Sequence, residues 1–391
     1  MKKFILFCLI VVAWGCSSEE ENRIPEQFKD LENLTVFSSD ETPTQTFSFK
    51  KEGIFGNSEE VLIGRMGEIA VDSLGRVFIS DIQKNEINIF EPGGNFLNSL
   101  GRQGVGPGEF NNIRSLQIVG NHLYVYDPSQ YRVNIFSLTT FSNKGTITVG
   151  RNRNKFPELV KVFPWIHELY VTNNDTYLLQ FISERKRFNK EWEITDTEGA
   201  MYLANRAGDL VGSKLLSFTE DKRINYKGLN ITLPFFFGST ISTLGIDSAI
   251  YIATPDHFLI KVYNLKGEYQ SAFYYPNNKI PLTEESAIKA ELPPLYLKNL
   301  ESIDAPKNWP TVTDLKIDDQ DRLWVAVTVE NMNVYEWWVL ESSGEVITKF
   351  EWSRDKPIQQ IRNEYLYTKE KDQEGADIVV KYKIEFKERE Y

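Results

Sequence analysis

A pattern of four short apolar segments separated by turn residues recurs along the chain and constrains its fold more than any other feature. The first copy, Ile69–Leu100, alternates apolar and polar residues with a period of two, as β-strands do. Further copies begin at Leu116, Leu244 and Leu315, and a divergent, enlarged copy spans Leu169–Ser217. Four-stranded units of about 40–50 residues are typical of β-propeller blades. Because one blade cannot bury both of its apolar faces alone, neighbouring blades must stack in a ring.

These copies predict an all-β, six-bladed β-propeller with four-stranded antiparallel blades. Five blades are counted directly, and the sixth is assembled from Asn363–Tyr367 and Ile378–Phe386. A strand from the N-terminal part, at Leu34–Phe37 or Thr46–Phe49, would complete this blade and cover its exposed sheet edge. Seven blades is the alternative, because residues 150–240 are long enough to hold an additional one.

The segment 281–305 interrupts the strand pattern and predicts a short helical insertion. Thr283 is placed to cap a helix that begins with two glutamates, and the prolines at 293–294 would end that helix. Three leucines between 295 and 300 favour a second short helix. The insertion either covers the mouth of the central channel as a flap or packs on the blades as a decoration.

The first residues predict export and a lipid anchor. Two lysines precede the apolar run Phe4–Val12, which is too short to span a bilayer and is typical of a signal peptide. The sequence Ala-Trp-Gly-Cys16 resembles a bacterial lipobox, in which the cysteine is lipidated and becomes the mature N-terminus. An ordinary signal peptide with an incidental cysteine is the alternative. We therefore predict a signal peptide at 1–15, a tether at 16–30 and a single propeller domain at 31–391.

The net charge of the chain limits the classes of partner that it can bind. The chain of 391 residues has a formal net charge of −11, which argues against nucleic-acid binding, because that depends on Lys and Arg neutralising phosphates. The acidic stretch after Cys16 resembles the tether of Bacteroidetes-type lipoproteins that reach the outer face of the outer membrane. A plain solvated linker, with the protein on the periplasmic side, is the alternative.

The best-preserved repeats carry a family resemblance. Gly104–Phe110, followed by a strand ending at Asp127 and then by Arg132–Phe136, resembles an NHL-type repeat. Together with the lipobox and the helical insertion, the chain is similar to the six-bladed propeller lipoproteins of Bacteroidetes. That resemblance implies the fold and a place at the outer membrane, but it implies no activity.

One group of residues suggests a ligand site. Arg65, Arg102 and Arg151 each follow a glycine where one blade leads into the next, so their guanidinium groups are expected at one mouth of the channel. Such groups bind carboxylates, sulfates and phosphates in a bidentate manner. The alternative is that each arginine pairs with an acid of a neighbouring blade. Three aromatic residues of the same rim would stack on sugar rings or else cap the core: Phe110, Trp165 and Trp309.

Other polar residues are interpreted as structural. Asp72, Asp247 and Asp318 recur at the end of a first strand, where carboxylates bond turn amides. His122 and His257 fall on connections at opposite faces of a propeller, so they do not form a metal site together. We expect no metal and no cofactor.

The sequence therefore favours a lipid-anchored, monomeric binding or scaffolding module at the cell envelope rather than an enzyme. Its partner would be a glycan, a peptide or an outer-membrane protein. The alternative is a propeller hydrolase or lyase that acts on a polymer or a lactone, for which a convergent acid cluster or tightly held metal would be the evidence.

Overall fold

A computed structural model of the chain describes residues 24–38, 41–56, 60–163, 165–183, 193–226, 229–232, 238–290 and 306–388. The predicted signal peptide, Cys16 and the predicted second helix of the insertion lie outside these residues. The division into signal peptide, tether and propeller domain stays a prediction.

Within these ranges the strands form six sheets arranged as propeller blades, numbered here from one to six along the chain. The innermost strands are Met66–Val71, Ser115–Val119, Trp165–Val171, Ile241–Leu244, Val312–Ile317 and Ile358–Arg362. The second strands are Val77–Asp81, His122–Asp127, Tyr177–Ile182, Ile250–Ala253, Leu323–Thr328 and Tyr365–Lys371. The third strands are Glu86–Phe90, Arg132–Ser137, Glu193–Ala204, Phe258–Tyr263, Val334–Leu340 and Asp377–Glu388. The outermost strands are Phe96–Leu100, Asn143–Thr148, Leu210–Tyr226, Tyr269–Tyr275, Val346–Ser353 and Gln45–Phe55.

The ring is closed by strands from the two ends of the chain, as predicted. Gln45–Phe55 pairs antiparallel with Asp377–Glu388 and is the outermost strand of blade six. The other candidate, Leu34–Val36, instead adds a parallel fifth strand to Tyr269–Tyr275 in blade four. The seven-blade alternative is wrong, because residues 150–240 contain one enlarged blade, whose outermost strand also pairs with the short strand Leu229–Thr232.

The apolar core lies in the seams between neighbouring blades. Each pair of adjacent blades encloses its own cluster of buried side chains. The seam between blades six and one, for example, contains Phe55 of the N-terminal strand, Tyr367 of blade six and Val77 of blade one. Each seam therefore requires both of its blades, and the closing strand contributes to the last one.

The connections between strands lie on two faces of the ring. The face called here the entrance face carries the links from one blade to the next and those between second and third strands. Helix α1 (Pro157–Lys161) and the 3₁₀ turn Arg153–Lys155 lie in the link between blades two and three. Helix α2 (Glu284–Lys289) lies in the link between blades four and five, where the predicted insertion begins.

The predicted cap of α2 is confirmed. The Thr283 hydroxyl accepts a hydrogen bond from the Ser286 amide at 3.1 Å, and the Ser286 hydroxyl accepts one from the Thr283 amide at 2.9 Å. Trp309 donates its indole N–H to the Ser286 hydroxyl at 2.9 Å, and Ala287 is buried. These contacts hold the described part of the insertion against the ring.

The recurring aspartates bond turn amides, as predicted. Asp72 accepts hydrogen bonds from the backbone of Leu74 and Arg76, both at 2.9 Å. Asp318 accepts from Arg322 in the same way and also receives the Arg322 guanidinium at 2.7 Å. Both carboxylates are buried, so they stabilise the turn between the first and second strands of their blades.

Candidate functional site

The innermost strands of four blades carry a β-bulge near the entrance face. One additional residue interrupts their pairing with the second strand in blades one, three, five and six. In each of these strands a polar residue at the bulge is followed directly by a buried apolar residue. The polar residues are Glu68, Glu168, Asp314 and Gln360. Bulges redirect side chains and often lie beside functional sites. Here they place oxygen-bearing side chains on the strands that surround the channel.

Cations accompany these residues. The Arg114 guanidinium lies 3.2 Å from the Glu168 carboxylate, and Lys316 lies 3.0 Å from Asp314. Lys369 of blade six lies 3.2 Å from Asp377. The entrance end of the channel therefore contains charges of both signs contributed by five blades.

Two glutamates of this group have perturbed acidities. Loss of hydration on burial raises the pKa of Glu68, an effect that the positive charges of Lys316 and Arg114 partly oppose. The Glu68 side chain is nevertheless exposed to solvent, on the innermost strand of blade one. Burial likewise raises the pKa of Glu168, while Arg114 lowers it and Glu68 raises it further. Both carboxylates therefore hold a proton to a higher pH than free glutamate.

A hydrogen-bonded network continues from this cluster towards blade four. Arg114 Nη2 lies 3.3 Å from His167 Nε2, and that ring lies 3.7 Å from the Glu220 carboxylate. Glu220 also accepts a hydrogen bond of 2.6 Å from the Gln180 amide, and Gln180 in turn accepts one of 3.0 Å from the Ser242 hydroxyl. The additional residue in the blade-three bulge is His167, so the bulge provides one member of the network.

Glu220 also belongs to the wall of a cavity of about 490 Å³ between blades three and four. Apolar walls come from both blades: Leu216, Phe218, Ile252 and Tyr263. The charged lining residues are four acids and one lysine: Asp196, Glu220, Asp221, Asp256 and Lys261. Glu220 and Asp221 are only 6% and 7% exposed. A cavity of this size accepts a small molecule or a few residues of a peptide.

The N-terminal segment reaches the rim of this cavity. The ring of Phe28 packs edge-on against that of His257, with 5.0 Å between their centres, and Gln27 Nε2 lies 3.3 Å from His257 Nε2. His257 directly follows Asp256 of the cavity wall. These contacts fall within the segment 16–30 that was predicted as a tether.

The contacts of the three predicted arginines lie within the protein, and the ligand site at these residues stays a prediction. Arg102 pairs with Glu109 of its own loop at 2.8 Å, and Arg151 pairs with Asp209 of blade three at 3.2 Å. Arg151 therefore follows the alternative of pairing with a neighbouring blade, whereas the partner of Arg102 belongs to its own loop. Arg65 is exposed and donates its backbone N–H to Asp81 at 3.3 Å, so its role as a ligand residue stays a prediction.

Of the three predicted aromatic residues, one is available to a ligand. Phe110 is completely buried in the seam between blades one and two, and Trp309 is 4% exposed beneath α2. Neither ring offers a face to a ligand, so the prediction of stacking is wrong for both, and they cap the core instead. Trp165 begins the innermost strand of blade three at the entrance face and is 56% exposed.

His122 begins a second strand and His257 precedes a third strand, which places them on opposite faces as predicted. In the described ranges, no group of three or more His, Cys, Asp or Glu side chains is arranged to hold a metal ion. Nor does any helix there have the length and apolarity needed to cross a membrane.

Several solved structures are similar to the chain. A Bacteroides fragilis protein inferred to be exported is 13% identical, with 90% of this chain and 99% of that chain covered and a TM-score of 0.49. A DUF4221 family member from Bacteroides vulgatus is 10% identical, with 89% and 100% covered and a TM-score of 0.50. Virginiamycin B lyase from Staphylococcus aureus is 11% identical, with 88% and 90% covered and a TM-score of 0.40. At 10% identity, the likeness to the DUF4221 family member concerns the fold alone.

No curated relative shows significant sequence similarity to the chain. A family model described as a 6-bladed beta-propeller, DUF5128, matches residues 56–252. That match covers half of the chain, and the six blades in the structure agree with its description. The chain therefore belongs to the DUF5128 family of six-bladed β-propellers.

Proposed function

We propose that this propeller is a lipid-anchored binding module of the outer membrane, which captures a polypeptide partner by a basic side chain. The cavity between blades three and four is the binding site. The observation that carries the proposal is the composition of its charged lining, four carboxylates against one amine. The ligand class follows from that excess of negative charge.

A lysine or arginine side chain fits this cavity better than a neutral glycan does. An ammonium or guanidinium group forms charge-assisted hydrogen bonds with carboxylates, which are stronger than those of neutral donors. Phe218 and Tyr263 give the cavity aromatic surface, and aromatic faces favour cations as well as the apolar stem of a long side chain. A neutral sugar would gain no comparable advantage from the surplus charge.

The position of the N-terminal segment supports a membrane partner. Phe28 and His257 join this segment to the cavity rim, and seven residues separate Cys16 from Ile24, the first described residue. An extended chain of that length spans less than about 30 Å. A lipid on Cys16 would thus keep the cavity close to the bilayer, where a membrane protein exposes its loops.

Binding is tested with the mature, full-length chain and short peptides that carry one Arg, one Lys or one Gln at the same position. Isothermal titration should give tighter binding of the Arg and Lys peptides, and added salt should weaken it. The double variant Asp196→Asn, Asp256→Asn should lose about tenfold in affinity, since each carboxylate contributes about 0.7 kcal/mol.

The control is Asp355→Asn, which makes the same chemical change at an exposed aspartate of the link between blades five and six. Equal affinity for the Gln and Arg peptides, or equal losses in the control and the double variant, would refute the proposal. Mass spectrometry of the peptides after incubation tests the hydrolase alternative, which requires their conversion.

The anchor is tested separately by metabolic labelling with an alkyne fatty acid. Cys16→Ala should abolish the label and release the protein from the outer-membrane fraction. Protease treatment of intact cells then distinguishes the cell surface from the periplasmic side. A labelled Cys16→Ala protein would mean that the cysteine is not the anchor.

A further inference from the structure

Glu68 is a charged side chain of the channel whose carboxylate lacks a direct partner in the described part of the chain. Glu168, Asp314 and Asp377 each have a cation within 3.2 Å. The Glu68 carboxylate has no hydrogen-bond or ion-pair partner among the described residues, although nearby positive charges lower its pKa. It is therefore an acceptor open to a ligand.

The surroundings of Glu68 locate it in the lumen. Its carboxylate interacts electrostatically with Arg114 of blade two, Lys316 of blade five and Lys369 of blade six. Because Glu68 itself belongs to blade one, only a position near the central axis brings these three cations within range. The adjoining buried residues Ile69 and Met66 pack in the seam between blades six and one.

A second acceptor lies on the neighbouring innermost strand. Gln360 occupies the bulge position in blade six that Glu68 occupies in blade one, and these two strands contact each other. Gln360 Oε1 is buried and accepts no hydrogen bond from the described residues. Ile361 of the same strand packs in the seam between blades five and six, so alternation places its neighbour Gln360 on the opposite face of the strand, towards blade one. An unsatisfied buried acceptor is costly unless a ligand or water bonds it.

The lumen also presents donors, namely the side chains of Arg114, Lys316 and Lys369. A hydroxyl group donates to a carboxylate or amide oxygen and accepts from a guanidinium or ammonium group. A charged ligand would be attracted by one part of this ring and repelled by another. We propose that the lumen beside Glu68 and Gln360 binds a neutral polyhydroxylated molecule, a saccharide or polyol. This site is separate from the peptide cavity.

The proposal is tested by saturation-transfer NMR on the full-length lipidated chain in a detergent without a sugar headgroup. The probes are glucose and N-acetylglucosamine, with glucosamine and glucuronate as charged analogues, each up to tens of millimolar. The neutral sugars should give the strongest transfer. Glu68→Gln should weaken their binding about tenfold, the loss expected when a hydrogen bond to a charged acceptor becomes a neutral one.

Glu374→Gln, at an exposed turn of blade six, is the matched control and should bind like the unaltered chain. Gln360→Leu provides a second variant that removes an acceptor without removing any hydrogen bond within the described residues, and it should also weaken binding. Absence of transfer from both neutral sugars, preference for a charged analogue, or unchanged binding in both variants would overturn the proposal. Asp196→Asn with Asp256→Asn should leave sugar binding intact, which separates this site from the peptide cavity.

Discussion

Gly267→Ala should destabilise the joint between blades three and four. Gly267 lies in the turn between the third and outermost strands of blade four, with a φ of +77°. A Cβ atom there would lie 2.4 Å from the backbone oxygen of Leu215 in blade three, whose next residue, Leu216, lines the cavity. The added methyl group therefore strains its own backbone and also pushes against a neighbouring blade.

Gly375 supplies a matched control. Its φ is +87°, and a Cβ atom there would meet nothing within 4 Å. Both turns have the same construction: Asn264 and Asp372 each accept hydrogen bonds from two turn amides at 2.8–3.0 Å. The cost of a left-handed alanine, about 1–2 kcal/mol, is thus common to both variants. Only Gly267→Ala adds overpacking, which costs about 1–3 kcal/mol.

The two variants are compared by calorimetry or by circular dichroism during heating. A chain of this size has an unfolding entropy of about 0.8 kcal/mol/K, so the additional cost lowers the melting temperature by about 1–4 °C below that of Gly375→Ala. Peptide binding should weaken in Gly267→Ala, because the displaced strand forms a cavity wall. Equal melting temperatures would show that the close approach of the two blades is not rigid and would refute the reasoning.

Three further predictions follow from burial and charge. Burial raises the pKa of Glu68, so the folded chain keeps that proton to a higher pH than the unfolded chain does. The free energy of unfolding therefore falls as the pH rises through this range. Glu68→Gln should raise the melting temperature at pH 7.5, and this gain should vanish as the pH falls towards 4.5. Phe55→Ala should lower the free energy of unfolding by about 3–5 kcal/mol, because it leaves a cavity in the seam between blades six and one. Ile54→Ala, at a residue 45% exposed, should lower it by less than about 1 kcal/mol in chemical denaturation. Similar losses would contradict a ring closure that depends on this seam. Arg322→Ala should lower the free energy of unfolding by about 3–5 kcal/mol, because it leaves Asp318 buried without its cation. Arg102→Ala, at a side chain 80% exposed, should lower it by less than about 1 kcal/mol. A larger loss for Arg102→Ala than for Arg322→Ala would be inconsistent with these contacts.

Most residues of the candidate site could not be predicted from the sequence, although one pattern pointed to the polar residues of the innermost strands. In the first strand of most copies a polar residue stands directly before a buried apolar one, as in Glu68-Ile69 and Glu168-Leu169. Period-two alternation assigns such residues to a face but does not show that bulges in several blades direct them to one axis. The sequence gives no indication of Glu220, because it lies far along an outermost strand and approaches His167 of the innermost strand only through the path of the enlarged blade.

The periodic alternation of apolar residues and the spacing of the copies determined the four-stranded blades and their arrangement in a ring, because these depend on local pairing and on burying repeated apolar faces. The structure decided between six and seven blades and between the two candidate closing strands. The same local rules determined the turn aspartates and the cap at Thr283. The tertiary structure alone decided which polar residues meet, since that depends on the curvature of the ring and on contacts between distant blades. Phe110 shows the difference plainly: its aromatic character is visible in the sequence, but only the packing of two blades against each other determines that its ring is buried.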